Sequence, residues 1–525
     1  MKKGLSIFAI ILLLVGFLAA CGSKDKSNES AGKDGESAAK VNKEGFPIVD
    51  EKIELEMFGP NVGVAKWEEM KFFQVMEEKT NVKFKFNTPP NDSLETQKNL
   101  LFASNELPDV FYGAALTNSD VTKYSQSGQI IPLDDLIEQY APNIQKMFEE
   151  YPDVKKTITA LDGHIYTLPS LDRNLPWNIH PVWYNGHFLE ALGVTELPKT
   201  TDELYDLLKR IKTEDPNGNG EADEIPLTAT EMWDINQWFM GFFGLKSIAQ
   251  AEYDGTIKYG AIQPEFKEYL QFMNKLWEED LFDHEAFSQT GEQKGAKGKA
   301  NKVGVFANWG PGMFLGEEES TKHPMMQPVT GPNVDKPVIP ISPGQSINQF
   351  AISNTNKYPE ATMRWIDYSY SEEGNAFLHG LDEGDVWNFT DDSKTKRKMN
   401  EGGEDKRGTM TPAYGIPVPT WSHEEYAKSF YSDYENFRDT ETQEKIVANG
   451  EVALPQLFLT PEELDQIAGI NADIVAYAEQ MEAKFITGAE SFDNWDKYVK
   501  TAEDIGIEKI VEVYQTAYDR FAEKE

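Results

Sequence analysis

Ile53-Glu54-Leu55-Glu56-Met57, then Trp67, Met70, Phe73 and Met76, then Val82-Lys83-Phe84-Lys85-Phe86: this stretch decides the fold. Apolar and charged residues alternate in its first and last segments, as they do along a strand with one wet face. The middle segment repeats at the spacing of one helix face. Strand, helix, strand is a β-α-β unit and predicts an α/β protein. Further along, Asp109-Val110-Phe111-Tyr112 reads as a short strand after Leu107-Pro108, and Ile130-Ile131-Pro132-Leu133-Asp134-Asp135-Leu136 as a turn into a capped helix. There is no internal repeat.

The chain has 525 residues, 40% hydrophobic and 12% aromatic, enough for about two to four domains with apolar cores. Asp and Glu outnumber Lys and Arg 88 to 50, for a formal charge of −38. Such a field repels phosphate backbones and anionic membrane surfaces, so nucleic acid is excluded as a partner.

At the start, Lys2 and Lys3 precede an apolar run from Leu5 to Phe17 and then Leu18-Ala19-Ala20-Cys21. The run is shorter than the ~20 residues a bilayer crossing needs, so it reads as an export signal. The segment resembles a bacterial lipoprotein signal, which implies that the thiol of Cys21, the one cysteine of the chain, receives a diacylglycerol and becomes the mature N-terminus. Two acyl chains make a stable anchor where one is marginal. Residues 22–45 are polar, charged and small, and read as a flexible tether. The expected picture is a monomer held by its lipid alone on the outer face of a cell membrane, as in a Gram-positive cell.

Asp215-Pro216-Asn217-Gly218-Asn219-Gly220-Glu221-Ala222-Asp223-Glu224 places oxygen-bearing side chains at loop positions 1, 3, 5, 9 and 10, with glycine at 6. Calcium takes six to eight hard oxygens, and a chain turning at a glycine can aim Asp215, Asn217 and Asn219 at one point while the Glu221 carbonyl adds another ligand. Position 12 is Pro226 rather than the usual glutamate, so Asp223 and Glu224 are left to close the site. The expected Ca2+ is structural, a clip and not a catalyst.

Trp177, Trp183, Trp309, Trp387 and Trp421 lie among Pro, Gly and Asn and read as loop residues, whereas Trp67, Trp277 and Trp365 follow helical periodicity and read as core. Flat aromatic faces suit the C–H faces of sugar rings. Phe58 and Asn61, in Phe58-Gly59-Pro60-Asn61 after the first strand, fit a ligand contact, since open α/β sheets bind ligands at the carboxyl ends of strands. No nucleophile elbow, P-loop, dinucleotide fingerprint or zincin motif occurs, and His180 and His187 read as exposed loop residues rather than a metal pair.

Three patterns then fall in a recognisable order: 104–110 (Ser-Asn-Glu-Leu-Pro-Asp-Val), 128–133 (Gly-Gln-Ile-Ile-Pro-Leu) and 162–169 (Asp-Gly-His-Ile-Tyr-Thr-Leu-Pro). Trp183-Tyr184-Asn185, Leu197-Pro198-Lys199-Thr200-Thr201-Asp202-Glu203-Leu204, Gly304-Val305-Phe306-Ala307-Asn308-Trp309 and Tyr358-Pro359-Glu360-Ala361 continue it. The series resembles the extracellular solute-binding proteins of bacterial ABC sugar importers, and its length and acidic loop resemble the large oligosaccharide-binding lipoproteins, alginate-binding proteins among them. The resemblance implies a two-lobed periplasmic-binding-protein-like fold of type II, no catalysis, capture of an oligosaccharide between the lobes and delivery to an ABC permease. It also implies that Trp309 stacks on sugar and that the shortened loop binds calcium; Trp387, in Gly384-Asp385-Val386-Trp387-Asn388, is the next choice of platform. Residues 46–165 with 343–380 are expected to form one lobe and 180–336 with 381–525 the other, with hinge crossings at 166–179 and 337–342. The alternatives are a secreted glycan-degrading enzyme and a peptide-binding lipoprotein.

Overall fold

The computed structural model describes residues 40–523, apart from 63, 175–179, 231, 317 and 318 and the side chain of residue 233. The signal, Cys21 and most of the tether lie outside the described residues, as does Trp177. In chain order the strands begin with β1 (Ile53–Phe58), β2 (Val82–Asn87), β3 (Val110–Tyr112) and β4 (Thr167–Leu171). Next come β5 (Val182–Tyr184), β6 (Ile225–Thr228), the hairpin of β7 (Gln250–Tyr253) and β8 (Thr256–Tyr259), and β9 (Val303–Ala307). Last are β10 (Ile339–Pro340), β11 (Gln345–Ile352), β12 (Trp387–Phe389), β13 (Arg397–Met399), β14 (Thr420–Trp421) and β15 (Gly450–Glu451).

The β-α-β unit is present. Ile53, Leu55, Met57, Val82 and Phe84 are buried, while the Glu and Lys between them face water, where Glu54 pairs with Lys85 at 2.6 Å and Lys83 at 3.3 Å. The helix Lys71–Thr80 lays Phe72, Phe73 and Met76 on the sheet and ends at Asn81, whose left-handed φ of 59° stops it. Trp365 is fully buried among Phe72, Phe73, Phe84 and Tyr112, as its helical spacing predicts.

One sheet has the order β14-β4-β11-β3-β1-β2. β2 and β3 run parallel to β1, β11 is antiparallel to β3 and β4, and β14 is parallel to β4. Hence β1, β2, β3, β4 and β14 all end at one edge, where β11 begins. The second sheet is β5-β9-β6, with β6 parallel and β5 antiparallel to β9. Each sheet has its own core, so the fold is two α/β lobes with a cleft between them.

Two expected boundaries move. β4 occupies most of the first part of the expected 166–179 crossing, and it is built into the first sheet. Leu381, Ala413, Val418 and Trp421 are buried in the first core, with β14 paired to β4, so 381–421 does not belong with the second lobe. A two-residue edge strand carries no periodicity to read, because its pairing is set entirely by distant partners. Downstream, Ile446, Leu457, Leu459 and the helices Pro461–Ile486, Trp495–Ile505 and Ile507–Ala522 build the second core, while Phe458 packs with Phe58 and Phe111. The chain passes between cores at 172–181, 341–344 and 422–432.

Candidate ligand-binding site

The segment 172–181 links the carboxyl end of β4 to the start of β5. Because β5 is antiparallel to β9, its start lies beside the end of β9, with Val182 opposite Ala307. β6 ends there too, since Thr228 pairs with Phe306. The carboxyl ends of the parallel strands of both sheets therefore face the same gap, which is where open α/β folds bind ligands.

On the second-lobe side the chain leaves β9 as Asn308-Trp309-Gly310 and enters the short helix Pro311–Leu315. Trp309 is 46% exposed, and Met313 beyond it 62%. The indole meets the His180 ring edge to face, with centroids 4.4 Å apart and planes at 88°. His180 Nδ1 lies 3.0 Å from Asp234 Oδ1, and Trp238 donates its indole N–H to the His180 carbonyl at 3.1 Å. Asp234 is buried; its other oxygen accepts from the Thr230 N–H at 3.0 Å and from the buried ammonium of Lys294. Burial opposes the charge on Asp234, but His180 and Lys294 together hold its carboxyl below the usual range. Gly310 leaves room for the Tyr434 hydroxyl, which would lie 2.3 Å from a Cβ at that position. Tyr434 comes from the distant helix Asp433–Lys445 and carries the Arg438 guanidinium 5.9 Å from its ring centre. An indole half exposed and braced from beneath offers a flat apolar face with polar groups at its rim, the combination sugar rings require.

On the first-lobe side, Gly59 packs where a Cβ would meet the Tyr112 carbonyl and the Trp67 ring at 2.5 Å each. Asn61 is half-buried at the strand end, donating its N–H to the Pro89 carbonyl at 2.8 Å. It lies three residues beyond β1, on this side of the gap. Phe58 does not: still within the paired strand, it points into a small core against Phe111. Trp183 and Trp387 are also corrected. Trp183 is fully buried in β5 and donates to the Asn308 carbonyl at 2.8 Å, so it supports the Trp309 loop from below. Trp387 is sealed in the β12–β13 hairpin, bonded to the Gly380 carbonyl at 2.9 Å with the Arg397 guanidinium over its ring. Trp421 is likewise buried, in β14. His180, read as an exposed loop residue, is a half-buried brace of Trp309. Asp234, Lys294 and Tyr434 lie on three separate elements, and no local pattern marks them.

The acidic loop closes on itself. Asp215, Gly218 and Gly220 take left-handed φ of 49°, 70° and 80°. Asp215 accepts from the N–H of Asn219 at 3.2 Å and of Gly220 at 2.9 Å, and Asn217 and Asn219 each donate to Asp223 at 3.1 Å. Asp223, held down to about 2 by Lys302 at 2.7 Å and by these amides, is ionised. Glu224 is buried, and its Oε1 has no hydrogen-bond partner. Burial, and then the charges of Asp215 and Asp223, push its carboxyl up. An orphaned buried oxygen beside two carboxylates fits a cation, and a donor set made of oxygens fits a hard one. The Glu221 side chain is exposed, leaving its carbonyl as the only contribution it could make. Among the described residues no three His, Cys, Asp or Glu side chains converge closely enough to hold a metal unaided, so the asparagine oxygens are essential to any such site.

Two α/β lobes with strand ends facing a common cleft define a binding protein, and the sequence agrees. A family model described as bacterial extracellular solute-binding protein matches residues 36–376, and the chain belongs to that family. The fructooligosaccharide ABC transporter substrate-binding protein FusA of Streptococcus pneumoniae serotype 4 is 29% identical over 557 residues, covering 99% of this chain and 98% of FusA. The S. pneumoniae FusA structure in complex with kestose superposes with a TM-score of 0.72 at 27% identity, over 90% of this chain and 99% of that one. A second, of an EF-hand mutant of FusA in complex with fructo-nystose, gives 0.71 at 27% identity over the same shares.

Proposed function

We propose that the cleft captures a short fructose-containing oligosaccharide, with Trp309 as its stacking platform and Asn61 contacting it from the first lobe. The chain is an extracellular solute-binding protein of an ABC sugar transporter; it is not an enzyme but delivers an oligosaccharide unaltered to the permease. The observation that carries the site is the contrast in exposure. Of the described loop tryptophans singled out by sequence, Trp309 is the one that faces solvent, and it does so at the strand ends. The fructose-containing ligand is supported by the FusA relative and its kestose complex. The crossings between the lobes act as the hinge, and closure around sugar is the state the permease reads.

Two further readings support this placement. Cys21 carries the lipid that holds the protein at the outer membrane face, so Cys21→Ser is expected to release it into the medium. Asp215, Asn217, Asn219, Asp223 and Glu224, with the Glu221 carbonyl, hold a structural Ca2+, for which the buried Glu224 oxygen is the support. At a hundredfold excess over its dissociation constant, calcium is expected to add ~2.7 kcal/mol of stability, and chelation or Glu224→Gln to remove the corresponding melting shift.

Calorimetric titration with 1-kestose and nystose, alongside maltotriose, trigalacturonate and a tripeptide, tests the ligand class. Binding of the fructans, recovered intact, is expected. Shortened products would mean an enzyme, tripeptide binding a peptide receptor, and binding of another glycan alone would overturn the fructose assignment.

A further inference from the structure

The Asp234–Lys294 pair poses a question that stability alone does not answer. Both side chains are buried, at 2% and 8% exposure, and burying an ion pair costs about as much in lost hydration as it returns. What such a pair does supply is direction. Each oxygen of Asp234 has a separate task, one holding His180 Nδ1 and the other taking Lys294 and the Thr230 N–H. Lys294, from the helix Gly291–Lys299, also donates to the Ala307 carbonyl at 3.1 Å. Ala307 is the last residue of β9, two before Trp309. One buried charge pair thus grips the Trp309 loop twice, through the backbone it springs from and through the imidazole against its ring.

The indole needs that grip. It sits between Asn308 and Gly310 and is 46% exposed. An unbraced ring would sample several rotamers and lose that freedom when sugar binds. A platform held before the ligand arrives avoids the loss. We propose that Asp234 and Lys294 are positioning residues for oligosaccharide binding, fixing His180 against Trp309 so that the stacking face is set in the empty protein. The ligand part of this rests on the function proposed above; the presetting of the ring does not.

The test uses the whole chain labelled with 5-fluorotryptophan, in which the Trp309 signal among eleven is the one missing from Trp309→Phe. Asp234→Leu with Lys294→Met, the double variant, removes both charges together and leaves neither stranded, and Asp234→Asn with Lys294→Met, the amide variant, keeps an acceptor for His180 without stranding the ammonium. Without sugar, one sharp Trp309 resonance is expected in the parent. In the double variant it should broaden or shift while the other signals hold, and in the amide variant it should largely recover. Nystose affinity should fall about tenfold in the double variant, yet by less than about twofold when Trp309 is already alanine, as coupled residues require. An unchanged Trp309 resonance in a folded double variant, or the same loss of affinity with and without Trp309, would overturn the proposal. Should the double variant not melt cooperatively, the amide variant and His180→Ala carry the resonance measurement, with an unmoved signal in His180→Ala counting against it. If the parent binds no nystose, the oligosaccharide reading fails by itself and the resonance still decides the positioning.

Discussion

The two strand ends facing the cleft treat their aromatic residues in opposite ways. At the end of β1, Phe58 is sealed in a core and the chain presents Gly59-Pro60-Asn61; past the end of β9, Phe306 is sealed and the chain presents Trp309. Residue type does not separate the cases. Phe58 and Phe306 are the last or nearly last paired residues of their strands, and pairing dictates the face they take. Trp309 lies beyond the ladder, so its direction is free to be set by neighbours: His180 on one side, Tyr434 behind Gly310. Trp183 makes the point within a single lobe, since it touches the same loop from inside a paired strand and is wholly buried.

The largest effect that can sharpen this contrast comes from a tryptophan with no free face. Trp365→Ala is expected to cost ~3–5 kcal/mol of stability as a core truncation, measured by denaturant melting, and a near-parental melt would mean the first-lobe core is not packed as described. Next, the two glycines compare the two ends directly. Gly59→Ala pushes a methyl against a backbone carbonyl and a buried ring, which overpacking puts at ~1–3 kcal/mol. Gly310→Ala meets only the far end of Tyr434. It should melt close to the parent and instead weaken nystose binding, and the reverse pattern would break the comparison.

The smallest effect separates two buried carboxylates of the second lobe. Asp234 has Lys294 and stays ionised, whereas Glu482, bonded to the Tyr269 hydroxyl at 3.1 Å, has no cation among the described residues, and burial pushes its carboxyl up to about 7. A folded-state value above the unfolded one stabilises fully below pH ~4.5 and is lost as pH rises through 7. Glu482→Gln is therefore expected to raise the melting temperature by a few degrees at pH 8 and to leave it nearly unchanged at pH 4.5. Equal shifts at both would show that burial is not the cause.

The first β-α-β unit was legible because each element carries its own periodicity, and Trp365 and Trp67 because helical spacing marks a buried stripe. Trp309 read as a loop residue from its glycine- and asparagine-bearing surroundings, and it was singled out from the other loop tryptophans by the family resemblance. The same cues misplaced Trp183 and Trp387, since proline and glycine neighbours signal a bend in the chain but not the direction of a ring. Phe58 was misplaced because it shares the strand face of Glu54 and Glu56, which is wet along most of β1 and is covered at its end by Phe102 and Phe111. Lys294, Asp234 and Tyr434 could not be read at all: they act on the Trp309 loop through His180, Ala307 and Gly310 from helices and turns 15 to 125 positions away from Trp309 along the chain, and only the folded path brings them together. β14 was missed for the same reason, being two residues long and defined by β4 alone.

The central claim, that an exposed and braced Trp309 is the face on which an oligosaccharide is held, is tested most directly by titrating nystose into the parent and into Trp309→Ala while melting both. A loss of affinity of about tenfold or more is expected from the missing stacking face and apolar area, with little change in melting, because no sealed cavity is left behind. Parental affinity in Trp309→Ala, or a melt lowered as far as that of Trp365→Ala, would contradict it.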